Sequence, residues 1–330
     1  MPPSVKFTPK IPLIEDMEPN IRKRIYQYNL LDKLGEGKNG VVYKAYDTGH
    51  RRVVALKVVS TETASSPLFR RLTLTAAKAI ARLNHVNVGA VTDVIEHEGA
   101  TIVVGEYVEG TTLRELLSSG PIPEDRFLSL ATGIANGLHA AHQKRIVHGD
   151  LQPSNIMVLP GDRVKIVDFG FPRRLSQEFD LTSDYPLDIY PYLSPEEVRG
   201  EIPGPSSDLF TLGVLFYELL TGVRPFSANH RTALARSILG GLPNMRRVHQ
   251  NAASGETALL LGRLMAKDRE DRCVDTRELL VTLDTISSAL KRRPPTTSVS
   301  SKLSSPRPYL LIPVLAVILV ILWAIAAAYR

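Results

Sequence analysis

Cysteine is almost absent from this 330-residue sequence. Cys273 stands alone, which excludes an internal disulfide framework and a cysteine-rich metal site. Acidic residues are missing from the whole stretch between Thr63 and Asn84, an absence that matters below. Residues 1–24 hold prolines and acids but no apolar core segment, so they do not read as a signal peptide. No internal repeat occurs. A strong charge of one sign is lacking too: the formal charge is +6 and the sequence pI about 9.3. The excess sits in Arg22, Lys23 and Arg24 and in Lys291, Arg292, Arg293, Lys302 and Arg307. It reads as loop and membrane-flank charge ahead of nucleic-acid binding, and no nucleic-acid partner is expected.

What is present is a globular composition, 44% apolar and 22% charged, long enough for two core-bearing lobes at roughly 150 residues per domain. Residues 1–24 read as an irregular leader. Residues 25–108 are dominated by short β-type runs: YNLLDKL, GVVYKAYD, RVVALKVVS, VGAVTDVIEH and ATIVVGEYVE, separated by turn residues. One helix interrupts them. It starts at Ser66-Pro67, and Leu72, Ala76, Ala79, Ile80 and Leu83 recur at helical spacing. Residues 109–288 are mostly helical, with an apolar stripe from Phe127 to Ala141 and a nearly all-apolar run, Leu209–Leu220. Two β-type pieces, NIMVLP and RVKIVDFG, lie between them. Residues 289–308 are basic and rich in Ser, Thr and Pro, and read as a flexible tether. Residues 309–329 carry no charge over a length sufficient to cross roughly 30 Å of hydrocarbon. Positive charges precede this segment. The expectation is therefore a single-pass C-terminal (tail) membrane anchor with residues 1–308 in the cytoplasm. Homo-association within the membrane stays open.

Three stretches carry chemistry. Gly35-Glu36-Gly37-Lys38-Asn39-Gly40 lies between two β-type runs, where glycines let the backbone approach a polyphosphate. A dinucleotide fold uses the same letters but needs a helix after the loop; here a strand follows. Lys57, in Val54-Ala55-Leu56-Lys57, is costly inside an apolar strand unless it meets an anion; the other reading is an edge lysine reaching water. In HGDLQPSN, Asp150 and Asn155 precede Asp168-Phe169-Gly170. An aspartate can orient a hydroxyl and accept its proton, while Asn and a second Asp are suitable oxygen ligands for Mg²⁺. Singly, each acid reads as a loop cap or a solvated charge.

Over residues 27 to about 285 the sequence resembles the eukaryotic-type protein kinase family, in wording most like bacterial Ser/Thr kinases. YLSPEE, the helix containing Asp208, and Arg272 (similar to the arginine that pairs with the glutamate of that segment, here Glu196) extend the resemblance beyond the catalytic letters. It implies an α+β bilobal fold, with an antiparallel sheet plus one helix in the first lobe and a mainly helical second lobe. It also implies ATP and Mg²⁺ as cofactors and protein substrates phosphorylated on Ser/Thr. Asp150 would be the catalytic base and Lys57 would hold the α/β-phosphates. Asn155 and Asp168 would hold Mg²⁺. Gly35, Gly37 and Gly40 would cover the phosphates, with Leu34, Val42, Ala55 and Glu106 completing the nucleotide site. Gly105 would occupy the gatekeeper position and leave a pocket behind the adenine, unless a bulge shifts the register by one.

Three departures are visible. Gly149 replaces an arginine that reads a phosphorylated activation loop, so phosphate on Thr182, Ser183 or Tyr185 would find no partner there. Gln152 replaces a catalytic-loop lysine. Ala76 stands where the family places a glutamate to orient the strand lysine, and the acid-free stretch offers no substitute. Lys57 must then be oriented by Asp168, by the nucleotide, or by nothing. A nucleotide-binding pseudokinase scaffold is the alternative function. Small-molecule phosphotransfer, suggested by HGD alone, is a third.

Overall fold

The computed structural model describes residues 24–37, 40–59, 75, 77–97, 100–169, 190–251, 253–273 and 275–292. The chain divides into two compact units, residues 1–290 and 291–330.

In the first unit, six of the described strands form one antiparallel sheet in the order β1-β2-β3-β4-β6-β5. These are β1 (Arg24–Ile25), β2 (Tyr28–Gly37), β3 (Gly40–Asp47), β4 (Arg52–Val59), β5 (Val91–His97) and β6 (Ala100–Glu106). The β3–β4 turn is set by Asp47, whose carboxylate accepts the Gly49 and His50 amides at 3.0 and 3.2 Å. Side chains alternate across each strand. Val54, Leu56 and Val58 therefore join Ile25, Tyr28, Ala45, Ile102 and Val104 in an apolar cluster, while Ala55 and Lys57 occupy the opposite face. The expected strand VGAVTDVIEH is shorter than its apolar letters suggest. Val88 instead forms an isolated parallel bridge with Ile166, and β5 begins at Val91.

Helix α1 (Leu113–Ser118) opens with a capping box in which the Thr112 side chain accepts from the Glu115 amide and the Glu115 carboxylate accepts from the Thr112 amide. Helix α2 (Glu124–Gln143) carries the expected stripe, with Phe127, Leu130, Ala131, Ile134, Leu138 and Ala141 all buried. Short strands β7 (Thr111–Thr112), β8 (Ile156–Leu159) and β9 (Arg163–Ile166) make a second antiparallel sheet. Helices α3 (Pro195–Val198), α4 (Pro205–Thr221), α5 (Arg231–Gly240), α6 (Met245–Gln250), α7 (Gly255–Leu264) and α8 (Thr276–Arg292) follow. Residues Ser207 to Leu220 of α4 are buried without interruption, so it is the axis of the helical lobe. Phe216 meets Phe127 edge-on at 5.3 Å. Each fully buried side chain of this size contributes about 1.5–3 kcal/mol over exposure.

The two sheets are joined by residues 87–90. The Asn87 carbonyl accepts from the Ile166 amide at 2.9 Å, the Gly89 amide donates to the Ile166 carbonyl at 2.8 Å, and the Glu106 amide donates to the Ala90 carbonyl at 2.8 Å. The bilobal α+β architecture read from the sequence is the one observed.

Of the helix expected from Pro67, residues 77–80 are described as helical, with Ile80 buried and Leu83 buried just beyond them. Ala76 lies outside the described residues, as do Thr182, Ser183, Tyr185 and Gly170. Helix α8 continues through residues 289–292, the first four positions of the stretch read as a tether. The rest of that stretch and the apolar segment 309–329 lie outside the described residues. Among the described residues no helix is long and apolar enough to cross a membrane.

Candidate active site

The strand registers put Gly35, Val42, Ala55 and Lys57, all expected to line a nucleotide site, on one sheet face, whereas Glu106 pairs with Val54. Val42 stands opposite both Gly35 and Lys57, and Ala55 stands opposite Gly105. Leu34, beside Gly35, is solvent-exposed. Gly40 has φ +128°, and a β-carbon there would stand 1.8 Å from the Val58 carbonyl oxygen. A larger residue cannot enter without moving β4, so Gly40→Ala is expected to destabilise the fold by about 2–3 kcal/mol, read by chemical denaturation. Gly35 is different: a β-carbon there meets nothing within 4 Å. Among the described residues no neighbour requires glycine at that position.

Lys57 is buried, and its Nζ lies 3.0 Å from Oδ2 of Asp168. Of the orienting groups considered for this lysine, Asp168 is the one the structure supplies. Asp168 itself sits in the left-handed region at φ +62°. Such a conformation in a residue other than glycine costs of order 1–3 kcal/mol and persists where surroundings enforce it. The ion pair with Lys57 and the packing of neighbouring Phe169 against the His148 ring, 4.6 Å between centroids, do so here.

The residues expected to form a catalytic loop are held by several contacts. The Asp208 carboxylate accepts the amides of His148 and Gly149 at 2.9 and 3.2 Å, and contacts Nε2 of His142 at 2.8 Å. Burial pushes the His148 imidazole below its ordinary pKa, against the nearby Asp208, Asp150 and Asp168 charges. The neutral ring then has a definite tautomer: Nε2–H donates to the Val167 carbonyl (3.1 Å), and Nδ1 accepts the Asp150 amide (3.2 Å). Asp150 is buried; Nδ2 of Asn155 donates to its backbone carbonyl at 2.8 Å, and Nε2 of Gln152 donates to its Oδ1 at 3.3 Å. The Val167 amide donates to the Asn155 carbonyl, tying this loop to the Asp168 segment. Gly149 takes φ +71°, with space around its missing β-carbon.

The segment below is fixed by a buried pair. Arg272 donates to both oxygens of Glu196 at 2.8 and 2.9 Å, and both side chains are fully buried. Burial alone would raise the Glu196 pKa; hydrogen bonds from Arg272 and Ser207, and the guanidinium charge, bring it down to about 2.

Glu106 ends β6, and its carboxylate pairs with Lys165 of β9 at 2.8 Å. The β4–β6 ladder runs without irregularity from Val54–Glu106 to Val58–Ile102. The irregularity in this region lies in β5, between Val91 and Asp93. That irregularity stands opposite Gly105 and Val104, while Gly105 itself keeps a regular pairing with Ala55. Sequence reasoning missed His142 and Lys165. Lys165 carried the same signal as Lys57, a cation within an apolar strand, whereas His142 carried none.

The comparisons with known proteins agree with this fold. The protein kinase domain family matches residues 28–281. The probable serine/threonine-protein kinase CPE1738 of Clostridium perfringens is 31% identical over 278 residues, covering 84% of this chain and 40% of that protein. Serine/threonine-protein kinase PknL of Mycobacterium tuberculosis is 36% identical over 210 residues, covering 63% of this chain and 53% of its own. The chain thus spans about half the length of these relatives or somewhat less. The crystal structure of the Mycobacterium tuberculosis PknI kinase domain superposes with a TM-score of 0.66 at 23% identity, covering 82% of this chain and all of that one. The likeness to PknI is one of fold. From Tyr28 to Val281, the greater part of its length, the chain belongs to the protein kinase domain family.

Proposed function

We propose that this protein transfers the γ-phosphoryl group of ATP to Ser/Thr hydroxyls of protein substrates, and that residues 309–329 hold its kinase domain at the cytoplasmic face of a membrane. The observation that carries the reading is the joint placement of Lys57, Asp168, Asp150 and Asn155: a buried cation paired to one acid, and a second acid fixed by its own loop. Asp150 would orient the acceptor hydroxyl and take its proton. Lys57, aimed by Asp168, would place positive charge against the α/β-phosphates. Gln152 would supply an amide beside Asp150 where a lysine would supply charge.

The donor set suits magnesium. The nitrogen end of the Asn155 amide is committed to the Asp150 carbonyl, and its oxygen end together with the Asp168 carboxylate offers the hard oxygen ligands this ion takes. Among the described residues no group of three or more His, Cys, Asp or Glu gathers, so two protein ligands leave the remaining positions to phosphate and water. When bound, the ion would neutralise charge on the β- and γ-oxygens.

A second reading, nucleotide binding without turnover, is favoured by Ala76 and the acid-free stretch around it. Phosphotransfer by the full chain on a generic protein substrate, wild type against Asp150→Asn, separates the two. Equal rates would sink the catalytic role, and stabilisation by ATP without turnover would support the scaffold. Deleting residues 309–330 should release the protein from membranes.

Gly105 adds a prediction about the nucleotide. A β-carbon there meets only the Ala90 carbonyl, at 3.1 Å. ATP analogues enlarged at the adenine amino group should bind the wild type about as well as ATP does. Gly105→Met should weaken them at least about tenfold by filling that space, roughly 1.4 kcal/mol in a calorimetric titration. Unchanged affinity would contradict the open pocket.

A further inference from the structure

Lys165 takes no part in the phosphoryl transfer set out above, yet it stands between the two ends of the nucleotide site. Alternate side chains of β9 point to opposite sides. Val164 and Ile166 are buried against α2, where a β-carbon at Gly133 or Gly137 would stand 2.4 Å from Val164 Cγ2 or 3.0 Å from Ile166 Cδ1. Lys165 faces the other way, toward Glu106, where the chain leaves the large sheet. Its Nζ lies 2.8 Å from Glu106 Oε2 and 3.4 Å from the Val88 carbonyl oxygen. The same Oε2 accepts the Ala90 amide at 3.3 Å.

From Lys165 onward the path to Asp168 is stiff. Ile166 exchanges backbone hydrogen bonds with Asn87 and Gly89 at 2.9 and 2.8 Å, and the Val167 amide donates to the Asn155 carbonyl at 2.9 Å. Asp168 follows, at φ +62° and 3.0 Å from Lys57 Nζ. A shift of Lys165 is therefore passed on to Asp168 and not absorbed between them. The side chains of Lys165 and Glu106 are 19% and 36% exposed, and an ion pair that wet adds little to stability. What it does supply is a fixed separation between Glu106 and Asp168. With Ala76 in place of the helix glutamate, the placement of Asp168 bears directly on Lys57.

We infer that Lys165 is a positioning residue for the nucleotide. By pairing with Glu106 it sets the distance between the adenine end of the site and the Asp168 end, which would receive the metal-bound phosphates. The inference rests on the kinase reading of Glu106 and Asp168 as two ends of one Mg·ATP site, and it names what keeps them in register. A ligand that touches only the Glu106 end is indifferent to this spacing. A ligand that spans both ends binds best when the spacing is already set, because no ordering cost is left to meet on binding.

The test is a calorimetric titration of the full chain in detergent with adenosine and with a non-hydrolysable ATP analogue, the latter with and without Mg²⁺. In the wild type Mg²⁺ should tighten binding of the analogue at least about tenfold. Lys165→Met should cut that gain to about twofold or less and leave adenosine within about twofold of the wild type. Glu106→Gln should do the same, and the double variant should be no worse than either single one, because only one interaction is removed. Lys165→Arg, which keeps the charge, should retain most of the gain. A merely structural pair would weaken adenosine and the Mg²⁺-bound analogue in equal proportion. That result overturns the inference, and so does a gain that survives Lys165→Met. Tighter binding of the Mg²⁺-bound analogue by Lys165→Met overturns it as well, since the pair would then restrain the site. In phosphotransfer, Lys165→Met should raise KM for ATP at least about fivefold and leave KM for the protein substrate unchanged. A wild type that shows the Mg²⁺ gain but transfers nothing sinks the kinase reading alone, and the titrations still decide the role of Lys165. A wild type without the Mg²⁺ gain overturns both.

Discussion

Asp150→Asn should lower kcat for phosphotransfer by about 10³-fold while leaving the fold and nucleotide binding in place. General-base contributions are typically 10²–10⁴-fold, and an amide cannot accept the hydroxyl proton. The replacement is isosteric, and the contacts that hold the loop survive it. The Asp150 amide still donates to His148, and its carbonyl still accepts from Asn155. The Lys57–Asp168 pair is untouched. Thermal stabilisation by ATP should therefore remain close to that of the wild type. A variant that loses ATP binding along with turnover would show that Asp150 acts on the nucleotide site and not on the acceptor. Gln152 sharpens the measurement. Its amide already leans on Asp150 Oδ1, and Gln152→Lys should raise the wild-type rate if the missing charge limits it.

The second large effect is on stability. Removing one partner of a buried pair leaves the other charged and unpaired, which costs about 3–5 kcal/mol. Arg272→Ala leaves Glu196, fully buried, with the Ser207 hydroxyl and a longer 3.6 Å approach of Arg269 in place of a bidentate guanidinium, and deprives the Ala266, Lys267 and Ser206 carbonyls of their donor. For a domain of this size the melting temperature should fall by roughly 10 °C. A double variant, Arg272→Met with Glu196→Gln, should recover part of the loss because no buried charge remains. The pair also has a pH signature. The Glu196 pKa is lowered from 4.5 to about 2 in the folded protein, so its stabilisation is complete above about 4.5 and is lost as pH falls toward 2. In the wild type, acid denaturation should steepen across that window, and in Arg272→Ala this component should shrink, since the Arg272 hydrogen bonds are lost while that from Ser207 remains.

Lys57 stood out from letters alone as a cation inside an apolar strand, whereas Asp150, Asn155 and Asp168 stood out only through their order and spacing. Their order along the chain then narrowed the chemistry. The strand and helix stripes were found for a related reason: alternation and helical periodicity are local properties. What stayed hidden depends on approach between distant segments. The clash that makes Gly40 obligatory comes from the Val58 carbonyl on the neighbouring strand. The contact between His142 and Asp208 joins two helices that share no pattern. The start of β5 was misjudged because Val88 and Ala90 are apolar like strand residues, whereas the backbone of Asn87, Gly89 and Ala90 bonds to Ile166 and Glu106 and joins the two sheets.

Asp208 has a consequence for the order of assembly. The loop that presents Asp150 contains a left-handed glycine, and its His148 and Gly149 amides are held by a carboxylate some sixty positions downstream. Nothing within residues 146–155 supplies that clamp. The chain must close a long loop and seat α4 before the catalytic turn acquires its shape, an entropic cost met only by non-local contacts. The shape of the Gly149–Asp150 turn is thus a property of the assembled helical lobe and not of its own ten residues.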